Sequence, residues 1–439
     1  MRQPGLRFSN AVISWSLAGA LLAGCAGGQS ATGLPSGGAA GTQSTAHAAW
    51  RGGLHKPGPS SPIQHVVFVI QENRSFDNLF QGYPGANTSP TGTTSTGQVV
   101  TLQPVSLSAP FDLLHDFKDA VQDMDGGKMD GFDHEGTGCQ PKCPSLAAYA
   151  YVPSSETAPY FNMAAQYVLA DNFFQSDEDG SFVSHQYLIA GQAEDTYGTP
   201  GVVPWGCDGT GSVHVLDTST TPGTPTNNTI SDCFDPDLTL ADEIDAAPPL
   251  TWRYYSAGVK NLGYLWSAYD SIAHIRNGPD WSADVVANDT KLFGDLKAGK
   301  LANVTWITPT LGASDHPNSR TTHGPAWVTK VVDAIGKSKF WNSTAIFVLW
   351  DDWGGWYDHV PPPVLDFDGL GMRVPLIVIS PYAQAGVVAH TQYEFGSLLG
   401  FTEQNFGLAP MSASDTRAAP LNGGDVFDFS QSPRAFTPF

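Results

Sequence analysis

Two acidic segments of the chain each follow directly on a short apolar run. The segment 71–77 reads Gln-Glu-Asn-Arg-Ser-Phe-Asp and follows the run 65–70, and Asp-Asp-Trp-Gly-Gly at 351–355 follows the run 345–350. Carboxylates that are partly buried side by side repel one another and lose hydration. A divalent cation neutralises them and takes their oxygens as ligands. Either segment alone would also suit a helix N-cap, but two of them on separate strands favour a metal site.

A third segment places a serine where it could act as a nucleophile. Residues 177–185 read Asp-Glu-Asp-Gly-Ser-Phe-Val-Ser-His, and they follow a predicted strand over 167–174. Ser181 would then begin a helix, where the backbone dipole favours a phosphoryl group. The Gly-x-Ser-x-Gly sequence of ordinary esterases is absent around Ser181, which disfavours that class. Helix capping by Ser181 is the alternative interpretation.

Histidines supply the remaining candidate groups. His316 lies just past a predicted strand over 303–308, and His323 follows closely. His115 and His359 lie in other loops. A single histidine is more often structural, but together these side chains could protonate a leaving alkoxide and hold phosphoryl oxygens.

The elements that must position these groups alternate between strand and helix. Apolar runs typical of buried strands cover residues 65–70, 167–174, 303–308, 345–350 and 374–380. A helix is predicted over 325–338, where Pro325 suits the first turn. This alternation predicts an α/β domain with a doubly wound, mostly parallel sheet and long loop insertions. In such sheets ligands bind beyond the carboxyl ends of the strands, where the acidic segments and Ser181 fall.

The N-terminus resembles a bacterial export signal. A basic start precedes an apolar stretch over 11–22, and the sequence Leu-Ala-Gly-Cys ending at Cys25 resembles a lipobox, in which the cysteine is lipidated. The stretch is too short for a membrane span. A plain signal peptide is the alternative. We therefore predict an exported envelope lipoprotein, periplasmic or at the cell surface, that touches the membrane only through a lipid on Cys25.

The same features divide the chain into three parts. We predict a lipoprotein signal peptide over 1–24, a tether rich in Gly, Ser and Ala over 25–60, and a catalytic domain over 61–439. Within that domain, two polar stretches at 82–98 and 207–233 are interpreted as surface loops that could form a lid.

Four cysteines remain once Cys25 is set aside. An even number in an exported chain indicates disulfides, and four cysteines allow three sets of pairs. We favour Cys139–Cys143 and Cys207–Cys233, because each bond closes a local loop. A zinc knuckle is the weaker alternative, since the chain has no Cys-x-x-Cys pair.

The composition excludes some partners. The 439 residues are 41% hydrophobic and 14% charged, with a formal net charge of -21. Such an acidic surface disfavours nucleic acid, whose phosphates require Lys and Arg, and also anionic lipid. A phosphate ester remains possible as a substrate, because a bound metal ion supplies local positive charge.

The ordered motifs resemble those of one family. The segment 72–77 resembles the Glu-Asn-Arg-Ser-Phe-Asp signature of bacterial phosphoesterases of the phospholipase C and acid phosphatase type. Further segments similar to that family are 128–132 (Lys-Met-Asp-Gly-Phe), 171–175, 314–317 (Ser-Asp-His-Pro) and 350–362. The resemblance implies an alkaline-phosphatase-like fold and a metal-dependent phosphoric ester hydrolase that forms a phosphoserine intermediate.

The resemblance also implies roles for individual residues. The implied ligands of a divalent metal ion are Glu72, Asn73, Asp351 and Asp352. Ser181 would be the nucleophile, and the phosphate-side or acid–base residues would be His115, His316 and His323. His185 matches a family histidine near the nucleophile, without a defined role. Oxygen ligands suit magnesium, manganese or calcium, whereas a nearby histidine would admit zinc.

Two departures weaken a strict phospholipase C assignment. Ser181 lies between Gly180 and Phe182, closer to the acid phosphatases than to the Gly-Pro-Thr setting of many phospholipases C. Little sequence follows Leu408, so we expect no additional β-rich domain. The substrate would be a small-molecule or lipid phosphate ester. Trp353 and Trp356, with the neighbouring Tyr357, could line an apolar substrate pocket or belong to the core.

Two other functions remain as alternatives. A sulfatase would carry a Cys/Ser-x-Pro-x-Arg motif, and none surrounds Ser181. A surface lipoprotein that binds ligands without catalysis would not need Glu72, Ser181, Asp351 and Asp352 together.

Overall fold

The computed structural model describes residues 61–136, 144–235 and 238–439. The predicted signal peptide, the tether, Cys25 and the pair Cys139–Cys143 lie outside the described residues and stay predictions. Within the described ranges, no helix has both the length and the apolar composition needed to cross a membrane.

The described chain alternates short strands and helices. The strands are β1 His65–Gln71, β2 Thr91–Thr93, β3 Val99–Thr101, β4 Gln103–Pro104, β5 Ala150–Tyr151, β6 Val168–Ala170, β7 Phe173–Phe174, β8 Thr196–Tyr197, β9 Ser212–Asp217, β10 Thr224–Ser231, β11 Trp252–Tyr255, β12 Val285–Val286, β13 Val304–Ile307, β14 Thr344–Trp350, β15 Leu376–Ile379, β16 Val387–Ala389 and β17 Tyr393–Glu394. The α-helices are α1 Phe76–Phe80, α2 Phe117–Met124, α3 Ala158–Gln166, α4 Ser181–Ala190, α5 Leu240–Asp245, α6 Ala273–Asn277, α7 Pro279–Asp284, α8 Lys291–Lys297, α9 Gly324–Gly336, α10 Phe395–Phe406 and α11 Ala413–Arg417.

One sheet of eight strands forms the centre, in the order β12-β11-β13-β1-β14-β15-β6-β16. Neighbouring strands are parallel except at β15, which is antiparallel to both β14 and β6. The predicted α/β fold with a mostly parallel sheet is therefore confirmed. The exception has a simple cause: residues 351–375 contain no helix that could carry the chain back across the sheet, so it re-enters from the edge at which β14 ends.

Helices cover both faces of this sheet. Phe347 and Trp350 in β14 are three residues apart, so their side chains point to opposite faces. The Phe347 ring contacts Phe401 of α10, with ring centroids 5.3 Å apart. The Trp350 ring contacts Tyr160 of α3, with centroids 4.9 Å apart. The doubly wound arrangement predicted from the alternation of elements is thus confirmed.

Two predicted segments differ in detail. The strand expected over 167–174 is divided between β6, in the central sheet, and β7, which pairs with β17. The division falls at Asp171, whose carboxylate accepts a hydrogen bond from the Asn87 backbone instead of facing the core. The polar stretch 207–233, expected to be a loop, contains β9 and β10. Its predicted Cys207–Cys233 disulfide is present.

The aromatic residues after β14 belong to a second core. Trp353 and Trp356 are fully buried, and Tyr357 is 4% exposed. The Tyr357 ring stacks on Tyr149 at 5.0 Å and meets Phe132 at the same distance. Of the two alternatives for these residues, the structure shows the core, because all three are buried in one hydrophobic cluster.

Candidate active site

Strand register brings the two acidic segments together. Strands β1 and β14 pair in parallel up to Gln71 opposite Trp350. Glu72 and Asp351 are the next residues, so both carboxylates leave the sheet at the same edge, and both are fully buried. The Asp351 backbone N–H donates to the Gln71 carbonyl at 3.0 Å, which extends the ladder into the site.

Helix α4 places Ser181 at this edge of the sheet. Strand β6 runs parallel to β14, because it is antiparallel to β15, which is itself antiparallel to β14. The chain after β6 therefore reaches the same edge, and α4 begins at Ser181 with Gly180 as its N-cap. All ten residues of α4 are buried. The predicted position of Ser181 at a helix N-terminus is observed.

The Ser181 hydroxyl lies among the carboxylates. Its Oγ donates to Asp352 Oδ2 at 3.0 Å and lies 3.5 Å from Glu72 Oε2. Asn73 Nδ2 lies 3.1 Å from the same Oγ and 2.8 Å from Asp352 Oδ2. The four side chains thus form one contact group.

Asn73 adopts an unusual backbone conformation to reach this group. Its φ is 58°, in the left-handed region that asparagine tolerates better than most residues. Its N–H donates to Asp351 Oδ1 at 3.0 Å. The Oδ1 of its side chain is buried without a hydrogen-bond partner among the described residues. An asparagine held this way can offer an oxygen to a cation at the cluster.

His185 is the site residue whose role the sequence did not define. It is fully enclosed on α4, four residues after Ser181, so both side chains lie on one helix face. Its Nε2 is 3.0 Å from Glu72 Oε1 and 3.5 Å from Asp351 Oδ2. Ligand atoms of Glu72, His185 and Asp351 all lie within 4.8 Å of one another, a spacing that could hold a metal ion. The Ser-x-x-x-His spacing on a predicted helix is the sequence signal that could have indicated this arrangement.

The cluster is short of positive charge. Burial and repulsion from Asp351 raise the pKa of Glu72 well above its usual value. The same two causes raise the pKa of Asp352. Burial also acts on Asp351, but its contacts with His185 outweigh that effect and lower its pKa. A cation would relieve this repulsion and allow all three carboxylates to ionise.

His115 and His316 lie where the cluster meets solvent, with side chains 16% and 17% exposed. His115 Nε2 is 2.9 Å from Asn73 Nδ2, and Nδ1 lies 2.6 Å from the Leu113 carbonyl. Burial disfavours the charged ring, but Asp352 and Asp112 outweigh it and raise the pKa of His115 to about 9. The His316 ring lies 6.2 Å from that of His115. His115 therefore contacts the same Asn73 amide as Ser181, and His316 lies next to His115.

The other two histidine candidates lie elsewhere. His323 is exposed just before α9, and no hydrogen bond or ion pair among the described residues joins its ring to the cluster. His359 Nδ1 contacts Asp77 Oδ2 at 2.6 Å. Asp77, Asp358 and His359 have spacing that could hold a metal ion, but the buried Arg373 guanidinium lies 3.4 Å from Asp77 and 3.1 Å from Asp358. We interpret this second group as a structural ion-pair network.

Gly180 permits the close approach of the segment that carries His115. A Cβ at position 180 would lie 2.4 Å from the His115 carbonyl oxygen. We therefore expect Gly180→Ala to displace His115 from Ser181 and to lower turnover about 10–100-fold, as small misplacements of reacting groups do. Turnover and the melting temperature would be measured together. Gly312→Ala is the control, since no atom lies near a Cβ there. Wild-type turnover in Gly180→Ala would contradict this interpretation.

The sequence of the described domain places the chain in a known family. Residues 63–409 match the Phosphoesterase family, so the chain belongs to that family, as the motifs predicted.

Relatives with curated names are phospholipases C. The chain is 26% identical over 417 residues to the non-hemolytic phospholipase C of Pseudomonas aeruginosa, covering 81% of this chain and 56% of that protein. It is 24% identical over 453 residues to phospholipase C A of Mycobacterium tuberculosis, covering 87% and 80%. The chain thus spans little more than half the length of the Pseudomonas relative.

A solved structure also aligns with the chain. It is described as a protein in the alkaline phosphatase superfamily from Vibrio parahaemolyticus, and the alignment covers 82% of this chain and 72% of that one at 9% identity, with a TM-score of 0.40.

Proposed function

We propose that this protein hydrolyses phosphoric esters through a phosphoserine formed on Ser181. One observation carries the proposal. Ser181 is the first residue of a buried helix, and its hydroxyl donates a hydrogen bond at 3.0 Å to Asp352 inside a group of carboxylates. A serine in that position has a carboxylate to receive its proton and a helix dipole aimed at an incoming phosphoryl group. The family membership and the names of the relatives support the same reaction class.

The residues fit a divalent metal ion at the cluster. The unpartnered Oδ1 of Asn73 and the convergence of Glu72, His185 and Asp351 support that fit. The ion would be held by the residues Glu72, Asn73, Asp351, Asp352 and His185. Bound there, it would supply positive charge to the phosphoryl oxygens and favour the ionised form of Ser181. The mixed oxygen and nitrogen ligands are compatible with magnesium, manganese, calcium or zinc.

The residues around Ser181 divide the proton transfers between them. As Oγ forms its bond to phosphorus, its proton passes to Asp352, and the bond between phosphorus and the leaving oxygen breaks. Protonated His115 gives its proton to the leaving alkoxide. Water then attacks the phosphoserine and loses a proton to His115, while the bond between phosphorus and Ser181 Oγ breaks. Asp352 returns its proton to Ser181 Oγ at 3.0 Å, and phosphate or a phosphate monoester departs. His316 and the Asn73 amide would hold phosphoryl oxygens during both steps.

Two classes of substrate are proposed, and each can be tested. A phospholipid is proposed from the names of the relatives, and a small phosphate monoester is proposed from the Gly-Ser-Phe setting of the nucleophile. Export as a lipoprotein anchored through Cys25 would place either activity outside the cytoplasm.

The proposal is tested by hydrolysis of p-nitrophenyl phosphate and p-nitrophenylphosphorylcholine, with and without a chelator, from acidic to mildly alkaline pH. Turnover that the chelator abolishes, and that added metal restores, would support the metal-dependent reaction. Preference for the first compound would indicate a phosphatase, and preference for the second would indicate a phospholipase C. No turnover of either compound or of phospholipid by metal-loaded protein would contradict the proposal and favour a ligand-binding lipoprotein.

A further inference from the structure

The exposed large apolar side chains of the described residues are unevenly placed. Eleven of them are at least 37% exposed: Val99, Leu114, Val121, Leu146, Val202, Val203, Leu238, Val259, Leu262, Val364 and Leu365. None of the eleven lies in the segments that enter the amino ends of the central strands, which are residues 61–64, 246–251, 298–303 and 337–343. Five of them lie in three loops next to the active site. The mechanism above uses none of these five side chains.

The loop after β8 lies beside the nucleophile. Val202 and Val203 are exposed in this loop. Two residues later, the half-buried Trp205 ring packs edge-to-face against Phe182, with ring centroids 5.8 Å apart. Phe182 follows Ser181 directly in α4. The exposed valines therefore lie next to the helix turn that carries the nucleophile.

The loop after β11 lies on the histidine side of the site. Val259 and Leu262 are exposed in this loop. The Trp266 ring, at the end of the loop, stacks on His316 with centroids 5.9 Å apart. This loop therefore adjoins a residue proposed to hold phosphoryl oxygens.

Contacts between the loops join them into one surface. The Tyr264 hydroxyl, in the loop after β11, donates to Asp208 at the end of the loop after β8, at 3.0 Å. Leu114 is exposed beside His115, whose ring lies 6.2 Å from that of His316. These three loops, here called the rim, comprise residues 113–115, 199–208 and 256–266.

The rim differs in charge from the rest of the chain. Residues 199–207 and 256–266 contain one charged residue, Lys260, in a chain with 42 acidic residues and a net charge of -21. The carboxylate of Asp208 forms an ion pair with Arg276. Clustered apolar side chains around a binding site mark a surface for an apolar or membrane partner. A second copy of this chain would carry the same net charge, and mutual repulsion disfavours it as the partner.

We propose that the rim docks on the surface of a zwitterionic phospholipid bilayer, with its five exposed apolar side chains inserted among the lipids. The acidic net charge disfavours an anionic bilayer. A half-buried tryptophan such as Trp205 suits the headgroup layer. The inference rests on the proposed function, because it takes a phospholipid as the substrate of Ser181. It adds a membrane contact to the lipid predicted on Cys25, whereas the sequence predicted the lipid alone.

Vesicle binding tests the proposal without catalysis. Residues 52–439 form one compact unit, so they are produced without Cys25, and Ser181→Ala is used so that the lipids stay intact. Flotation with phosphatidylcholine vesicles should show binding that high salt does not weaken. Leu262→Asp and Val203→Asp, each added to Ser181→Ala, should lower the partition coefficient about 10-fold or more, because a charge replaces a buried apolar side chain.

Val99→Asp is the matched control. Val99 is 68% exposed on β3, outside the rim, and Val203 is 63% exposed, so the two changes alter similar surfaces. Val99→Asp should bind vesicles as Ser181→Ala alone does. Equal weakening by Val99→Asp and the rim variants would overturn the proposal.

Three other results would also overturn it. The first is no binding to phosphatidylcholine vesicles, and the second is binding that requires anionic lipid. The third is a dimer in solution that Leu262→Asp dissociates, without vesicle binding, which would assign the rim to a second copy of the chain. Hydrolysis of the soluble p-nitrophenyl esters needs no bilayer, so failure of the proposed function can be told from failure of the docking proposal.

Discussion

Ser181→Ala is expected to lower the turnover of a phosphate ester by roughly 10⁴-fold or more, as removal of a covalent nucleophile does in other hydrolases. The reason is geometric. Ser181 Oγ lies 3.0 Å from Asp352 and 3.1 Å from the Asn73 amide, and we see no second hydroxyl in hydrogen-bonding contact with Asp352 among the described residues. Alanine fits the space that serine leaves, so the melting temperature should change little. Turnover and thermal unfolding would be measured on the same preparation.

Ser256→Ala is the control that distinguishes loss of a reacting hydroxyl from loss of packing. Ser256 is fully buried at the carboxyl end of β11, at the same edge of the sheet, and its hydroxyl donates to the Ala257 carbonyl. Ser256→Ala should retain turnover within a few-fold of wild type. Retention of wild-type turnover in Ser181→Ala would exclude the phosphoserine mechanism, whatever metal the protein contains.

The second large effect is expected from Glu72→Gln. Removing a residue that only orients a metal ligand typically lowers metal affinity or activity by up to ~100-fold. Because Glu72 is proposed to bind the metal directly, Glu72→Gln should lower metal affinity and turnover by more than that. The same change should stabilise the metal-free protein. Burial and Asp351 raise the pKa of Glu72, so the folded state binds a proton more tightly than the unfolded state does. The free energy of unfolding of the metal-free wild type should therefore fall as pH rises from the unfolded pKa of Glu72 through its raised folded pKa. Because glutamine does not ionise, Glu72→Gln should not show this fall in the free energy of unfolding.

The measurement is the melting temperature of both proteins against pH, with and without added metal. Without metal, Glu72→Gln should be the more stable protein above the unfolded pKa of Glu72. With metal, the order should reverse, because only the wild type gains binding free energy. Glu403→Gln is the control, since it removes a buried acid of raised pKa elsewhere and should leave metal-dependent turnover intact. Equal metal content in Glu72→Gln and wild type would refute the assignment of Glu72 as a ligand.

Much of the fold could be predicted because buried strands leave a strong signal. The continuous apolar runs before Glu72 and Asp351 correspond to β1 and β14, and their hydrophobicity on both faces indicated a covered, parallel arrangement. The direction of β15 could not be predicted, because a run of apolar residues is the same in either direction. Its direction depends on the absence of a helix in residues 351–375.

The site was predicted to the extent that its residues follow strand ends. Glu72, Asn73, Asp351 and Asp352 converge with Ser181 because parallel register and one edge of the sheet require it. Other positions depend on tertiary packing that spacing does not reveal. Trp353 turned inward to a second aromatic core, and His323 lies exposed before α9, so its proposed role stays a prediction.

The complete burial of α4 has a consequence for how the protein would lose activity. Ser181 and His185 both lie on this helix, and none of its residues is in contact with solvent to any large extent. Backbone amides in such a helix exchange with solvent only when the surrounding core opens, so α4 belongs to the last part of the domain to open. Partial opening of peripheral loops would therefore leave Ser181 and His185 in place. A heated population would consist mainly of active and globally unfolded molecules, with few that are folded but inactive.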